Sequence, residues 1–588
     1  MGQLIEIIKS HLKNNKKVHR HLRLLKRQFL AKTTGYPNWS EILRAHQSQW
    51  KQALEVSQKG PNILIATSIG GYLAGVTMES MLGVALTLRK VQVHVLLCDT
   101  ILPACFDCEV TWYPKLEHFL NHGPSKDLCR HCYVPASRVY GDLGFAVHRF
   151  SDFLTQEDFQ FSDKMVENLT YSEIVDYKYE GIPIGEHALS GALRFFACAN
   201  LEKEVHGEAV LKRYFKAALL TVISTKRLLS KNAFKCLTFH HGIYVPQGLI
   251  GEVARQKNIP VVNWNVAYRK HCFIFSHRET YHHSLISESV QHWEDLSWTP
   301  ILEKKLLKYL ASRLKGSEDW IWFHERPKTD LGAIEKETGI DFSKTTIGLL
   351  TNVLWDAQLH YPANAFSNML EWVLQTIGYF GNRPELQLVI RVHPAELTGT
   401  LVSRQPIIRE IEQVYPVLPR NVFLVGPESQ ASTYAMMTQC NAVIIYGTKT
   451  GVELASIGIP VIVAGEAWIR NKGISIDASS SREYFSILER LPFPDRLDAP
   501  IIERARKYAY HFFFRRMIPL DFMEVGGSAA PFYLKINNLK NLMPGSSKGL
   551  DVICQGILDG SEFIFPDEEE VEEGNASQGR LEKVRSGN

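Results

Sequence analysis

The stretch from Asn441 to Gly465, NAVIIYGTKTGVELASIGIPVIVAG, constrains the fold of this chain more than any other. Ala442 to Ile445 is a short, β-branched apolar run of the kind that fills a strand buried on both faces. Tyr446 to Gly451 reads as a turn and Val452 to Ile457 as a short helix, which Gly458 ends; after Pro460, Val461 to Ala464 reads as a second strand. A strand–loop–helix–strand unit this tight implies parallel pairing, and so an α/β sheet. Hydroxyls, glycines and Lys449 gather where the helix begins, where backbone N–H groups and the positive dipole end favour an anion. Glu453, inside that helix, is placed to accept hydrogen bonds from a ribose diol; equally, it complements the helix dipole while the threonines cap the helix.

Leu386 to Val392 (LQLVIRV) reads as another buried strand, and around its end stand Arg391, His393, Pro394 and Glu396. In an open parallel sheet ligands collect beyond the carboxyl ends of the strands, so Arg391, His393, Thr448 and Thr450 are expected at one crevice.

RVHPAE followed by YGTKTGVELASIGIPVIVAG resembles the nucleotide half of capsule polysaccharide biosynthesis proteins. That GT-B-like group includes the Kdo transferases of capsule assembly and is distantly similar to bacterial sialyltransferases and teichoic-acid polymerases. HHGIYVPQG, NWNVAYRKHCFIFSHRETYHH and HFFFRRMIP extend the resemblance over most of residues 60 to 520. It implies two Rossmann-like parallel-sheet domains, with a cysteine-rich insertion in the first. It implies a glycosyltransferase that moves a sugar from a CMP- or UDP-linked donor to a glycan or lipid-linked acceptor; no DxD-like metal site stands out in the sequence, so metal-independent transfer is expected. His393, Thr448 and Thr450 would bind the nucleotide phosphate, helped by Arg391, Lys449 and Gly451, and Glu453 would hold the ribose. The acidic loop motif of the sialyltransferases is not recognisable here, so the resemblance does not supply the base. On their own chemistry the candidates are His241, then Glu279 and Glu79, since histidine's pKa lies near working pH. The alternatives are a nucleotide-sugar epimerase or polyol-phosphate transferase on the same fold, or a non-catalytic zinc-bearing scaffold of polysaccharide assembly or export.

The length, 588 residues, provides for at least two cores, and a net charge of +4 argues against bulk nucleic-acid binding. No apolar run is long enough to span a bilayer and no secretory signal is visible, so the chain is read as cytoplasmic. Residues 1–55 form a basic helical segment. Within it, 9–32 carries Lys13, Lys16, Lys17, Arg20, Arg23, Lys26 and Arg27 opposite an apolar face. That face suits packing on the domain or peripheral contact with an anionic inner-membrane surface. The acceptor-side domain is placed at 56–335 and the nucleotide-sugar domain at 336–495. Helices at 496–545 would return to the first domain, with Arg515 and Arg516 as further phosphate candidates, and 546–588 would form an acidic disordered tail.

Within the insertion, 98–135, Cys105 and Cys108 precede Cys129 and Cys132. Two C-x2-C pairs on turn-prone stretches have the spacing of a four-thiolate structural zinc site, with Cys98 and His131 as spare ligands. Reduced thiols in a loop, or an iron–sulfur cluster, are the alternatives.

Overall fold

The computed structural model describes residues 35–313, 319–320, 327–356, 359, 363–399, 401–526 and 531–569. The basic stretch 9–32 and the second half of the PDEEEVEE run, 570–573, lie outside the described residues.

The first sheet contains β1 (Asn62–Ser68), β2 (Gln92–Leu97), β3 (Ala146–Arg149), β4 (Cys236–His240), β5 (Val261–Val266) and β6 (Cys272–His277). β3-β2-β1-β4-β5 is parallel throughout, and β6 pairs antiparallel on β5. Between β1 and β2 runs α1 (Leu73–Leu88), in which every residue from Leu73 to Thr87 is buried. A helix so largely apolar around its circumference needs cover on all sides. The cysteine-rich segment connects β2 to β3, and its second half is α2 (Lys126–Asp142). β3 is an exposed-to-intermediate edge strand, and AVHR lacks the apolar run that marks the central strands.

α3 (Pro300–Arg313) and α4 (Leu331–Thr338) follow. The expected domain boundary at 335–336 cuts through α4, which packs on the second sheet through Ile334. The second sheet holds β7 (Thr346–Leu350), β8 (Gln387–Arg391), β9 (Val422–Val425), β10 (Ala442–Ile445), β11 (Val461–Val463) and β12 (Ile476–Asp477). Its order is β9-β8-β7-β10-β11-β12, all parallel. α5 (Met369–Gly381) follows β7 and is capped by the Asn368 side chain, which accepts from Glu371 N–H; α6 (Thr450–Ala455) joins β10 to β11.

In both sheets the chain leaves the first strand to one side and returns on the other, which creates a topological switch point, β1/β4 in one sheet and β7/β10 in the other. The fold is thus α/β, with two Rossmann-like domains in a GT-B-type layout.

After β12 the chain goes back to the first domain. α7 (Ala499–Tyr510) packs on α3 and α6 and runs into one π-helical turn, His511–Arg515. β13 (Ile518–Pro519) then pairs antiparallel with β6. Of the segment expected as a disordered tail, 546–588, the described part, 546–569, is instead built into the molecule. α8 (Lys548–Asp559) packs against α1, and Phe563 and Phe565 are buried. This segment supplies cover that the fully buried α1 requires.

Candidate active site between the two sheets

At the carboxyl ends of β8 and β10 the structure assembles much of the expected donor set. His393 stands just beyond β8, and burial with Lys449 and Arg391 nearby pushes its pKa down to about 4. Lys449 lies one residue before α6; burial and Arg313 lower it to about 8 even though Glu453 accepts from its Nζ at 2.9 Å. Thr448 Oγ1 donates to Thr450 Oγ1 at 3.2 Å, and the Thr450 N–H bonds Thr448 Oγ1 at 3.4 Å. Gly451 serves close packing: a Cβ there would come within 2.6 Å of the Ile445 side chain.

Two members of the donor set face inward. Arg391 is buried, and its guanidinium donates to the carbonyls of Gly426 and Ser429, which ties down the loop after β9. The Glu453 carboxylate accepts from Arg313 Nε and Lys449 Nζ, both at 2.9 Å, and from the Tyr434 hydroxyl. With both oxygens engaged by protein donors, Glu453 braces Lys449 rather than presenting a free acceptor. Arg313, which closes that network, is the last residue of α3.

The base candidates separate. His241, with φ of +66°, is in the left-handed region at the end of β4, and its ring packs on Tyr244 with centroids 5.2 Å apart. Burial and neighbouring His240 and Arg194 hold it well below its ordinary pKa. Glu79 is buried on α1, where it accepts from Trp264 Nε1 at 3.0 Å. Burial raises its pKa to about 7, against hydrogen bonds from Thr67, Trp264 and the His240 backbone. It underpins β4 and β5 from inside the first domain. Glu279 is exposed beyond β6, whose antiparallel course leads away from the carboxyl edge, and its carboxylate lies 3.7 Å from His283 Nδ1. The structure does not bring it to the β4 histidines.

Across the gap, Tyr244 Oη donates to Asp356 Oδ1 at 3.1 Å and the Lys449 ammonium sits 4.6 Å from the Tyr268 ring centre. The His282 ring stacks on Trp468 at 5.2 Å, and His283 Nε2 lies 3.7 Å from Glu466 Oε2. The carboxyl edges of the two sheets therefore meet around one shared site.

Arg515 and Arg516 serve the return of the chain rather than an anion site. Arg516 pairs with buried Glu288 at 3.2 Å and donates to the Phe563 carbonyl, while Arg515 pairs with Glu568 at 3.1 Å. The cysteines also depart from expectation. Cys105 and Cys108 have sulfurs 3.7 Å apart, but Cys129 and Cys132 sit on α2 instead of a turn, and Cys132 Sγ accepts the Gly71 N–H at 2.9 Å. Among the described residues no three His, Cys, Asp or Glu side chains form a group able to hold a metal ion. As arranged, Cys105, Cys108, Cys129 and Cys132 do not fit a four-thiolate zinc.

No family model matches the chain, and no curated protein matches it. Among solved structures it is similar to the β-Kdo 2,4 transferase KpsC of Thermosulfurimonas dismutans, at 11% identity over 53% of this chain and 87% of that one, with a TM-score of 0.32. It is also similar to the UDP-GlcNAc 2-epimerase of Neisseria meningitidis bound to UDP-GlcNAc, at 12% identity over 76% and 98%, with a TM-score of 0.26. A third is the UDP-GlcNAc 2-epimerase of Methanocaldococcus jannaschii, at 10% identity over 76% and 97%, with a TM-score of 0.24. The strand order and the facing switch points, rather than these likenesses, define the class. No helix among the described residues is long and apolar enough to cross a membrane.

Proposed function

We propose that the chain is a glycosyltransferase of surface-polysaccharide assembly that takes its sugar from a nucleotide-linked donor and passes it to a glycan or lipid-linked hydroxyl. The observation that carries this is the pairing of His393 with Lys449 at the second switch point. Both groups are held below their ordinary pKa by burial and by neighbouring cations. An arriving phosphate reverses that balance, because a negative charge favours the protonated form of both. His393, Lys449, Thr448 and Thr450 then face the charge that grows on the departing phosphate, where preformed donors lower the barrier most. Glu453, Arg313 and Arg391 keep these groups in place. The first domain, with its histidines and aromatic rings across the gap, receives the acceptor. The test is a thermal-shift series with UDP-glucose, UDP-N-acetylglucosamine and CMP-N-acetylneuraminate, followed by product analysis. Stabilisation by one donor class, lost in Lys449→Met and His393→Ala, is expected. No shift with any of them overturns the proposal, and a changed sugar nucleotide formed without acceptor assigns the site to epimerisation instead.

A further inference from the structure

The first switch point holds a second histidine, one place before the one the sequence favours. His240 is the last residue of β4 and is 6% exposed. Its ring lies in an aromatic box, with centroids 4.6 Å from Tyr72, 4.9 Å from Trp264 and 6.2 Å from Phe106. The geometry fixes its tautomer. Asn265 Oδ1 accepts the Val266 N–H at 2.9 Å, which identifies that atom as the amide oxygen. The same oxygen lies 3.2 Å from His240 Nε2. An amide oxygen only accepts, so Nε2 carries the hydrogen and Nδ1 is left with its lone pair. The Tyr72 hydroxyl also approaches Nε2, at 3.4 Å, and so does not compete for Nδ1. Nδ1 has no hydrogen-bond partner among the described residues and is not among the sealed, unpartnered atoms. From below, Glu79 accepts from Nε1 of Trp264, whose ring packs on His240.

Building on the transferase reading, we infer that His240 Nδ1 is the proton acceptor for the attacking hydroxyl, and that Asn265 is the positioning residue that selects its tautomer. In the step, the hydroxyl oxygen bonds to the anomeric carbon as its proton passes to Nδ1. The bond from the anomeric carbon to the phosphate oxygen breaks, and its electron pair leaves with the nucleotide. The imidazolium then returns its proton to water. Burial holds the His240 pKa down to about 4, so the ring stays neutral and ready across the physiological range.

The experiment reads nucleotide release, with water as acceptor, from whichever of UDP-glucose, UDP-N-acetylglucosamine and CMP-N-acetylneuraminate stabilises the protein most. His240→Gln is expected to lower kcat by about 10²–10⁴-fold, the range of a lost general base, while keeping the donor-induced rise in Tm. Asn265→Asp, which sets a carboxylate against Nε2–H, is expected to move the acid limb of the kcat/KM profile up by about one to three pH units; a purely structural role leaves that limb in place. A larger loss in His241→Gln than in His240→Gln, or an unmoved acid limb in Asn265→Asp, overturns the inference and leaves the transferase standing. Absence of any donor-induced shift in the unaltered protein sinks the transferase itself. Independently of any donor, ¹⁵N spectra of histidine-labelled protein, with the His240 signal assigned by its loss in His240→Gln, must show a bare Nδ1. A protonated Nδ1 overturns the inference outright.

Discussion

The two switch points share a topology and differ in chemistry. At β7/β10 the side chains are cationic and tied to one another, with Lys449 and Arg313 on the single carboxylate of Glu453. At β1/β4 they are aromatic and neutral, with His240 boxed by Tyr72 and Trp264. Under the proposed function, the difference would separate two tasks of group transfer, holding a charged leaving group and accepting a proton in a partly dry pocket. It also separates two ways of fixing a side chain. A network of ion pairs stores large energies in a few bonds, whereas ring packing spreads small ones over many contacts.

The largest expected effect tests the charged side. Removing one member of a buried ion network leaves the others unpaired, so Glu453→Ala should destabilise the protein by about 3–5 kcal/mol in denaturant unfolding. A loss under 1 kcal/mol would show that Glu453 is not the brace described.

Next comes a pH effect that both domains share. Each contains one buried carboxyl pushed up to about 7, Glu79 in the first and Glu396 in the second; burial is the cause in both, offset at Glu396 only by the Ile407 N–H. For such a group the native state binds more protons than the unfolded state between the two pKa values. Its stabilising protonated form is therefore fully present below the ordinary carboxyl range and is lost as pH rises to about 7. Glu396→Gln should gain on the unaltered protein as pH rises from 5 to 8, by on the order of 3 kcal/mol, and Glu79→Gln should behave alike. Parallel pH–stability curves for variant and parent would contradict this.

A smaller effect falls on ligand binding alone. Lys449→Met removes one charged hydrogen-bond donor from the phosphate and should weaken donor binding by about 1.5–3 kcal/mol in calorimetry. The equivalent change in the first domain, His240→Gln, should leave donor affinity within a few-fold. Equal losses would erase the division of labour between the two sites. The smallest effect concerns the contact between them. Tyr244→Phe removes the bond to exposed Asp356 and should cost about 0.5–1.5 kcal/mol at most, with no change in either domain's own unfolding.

Much of this was legible locally. The β-branched runs at Ala442–Ile445 and Leu386–Val392 marked buried parallel strands because such strands are apolar on both faces. The residues after them, His393 and Thr448 to Thr450, followed from the rule that ligands gather at carboxyl ends. The edge strand Ala146–Arg149 was missed because a half-exposed strand has no apolar signature. The tail was misread because acidic composition conceals Phe563 and Phe565, whose burial depends on an apolar helix distant in the chain.

The sequence by itself thus determined the α/β class, the central strands and the loops that carry the chemistry, since all of these rest on short-range periodicity. Only the tertiary structure decided which of those residues are available. Strand order placed His240 at a switch point, and remote partners turned Arg391 and Glu453 inward. Spacing likewise suggested a zinc site, while the helix beneath Cys129 and Cys132 directed one thiol to Gly71. The physical reason is the same throughout: a residue type sets what a side chain is able to bind, and the neighbours supplied by the fold set what it does bind.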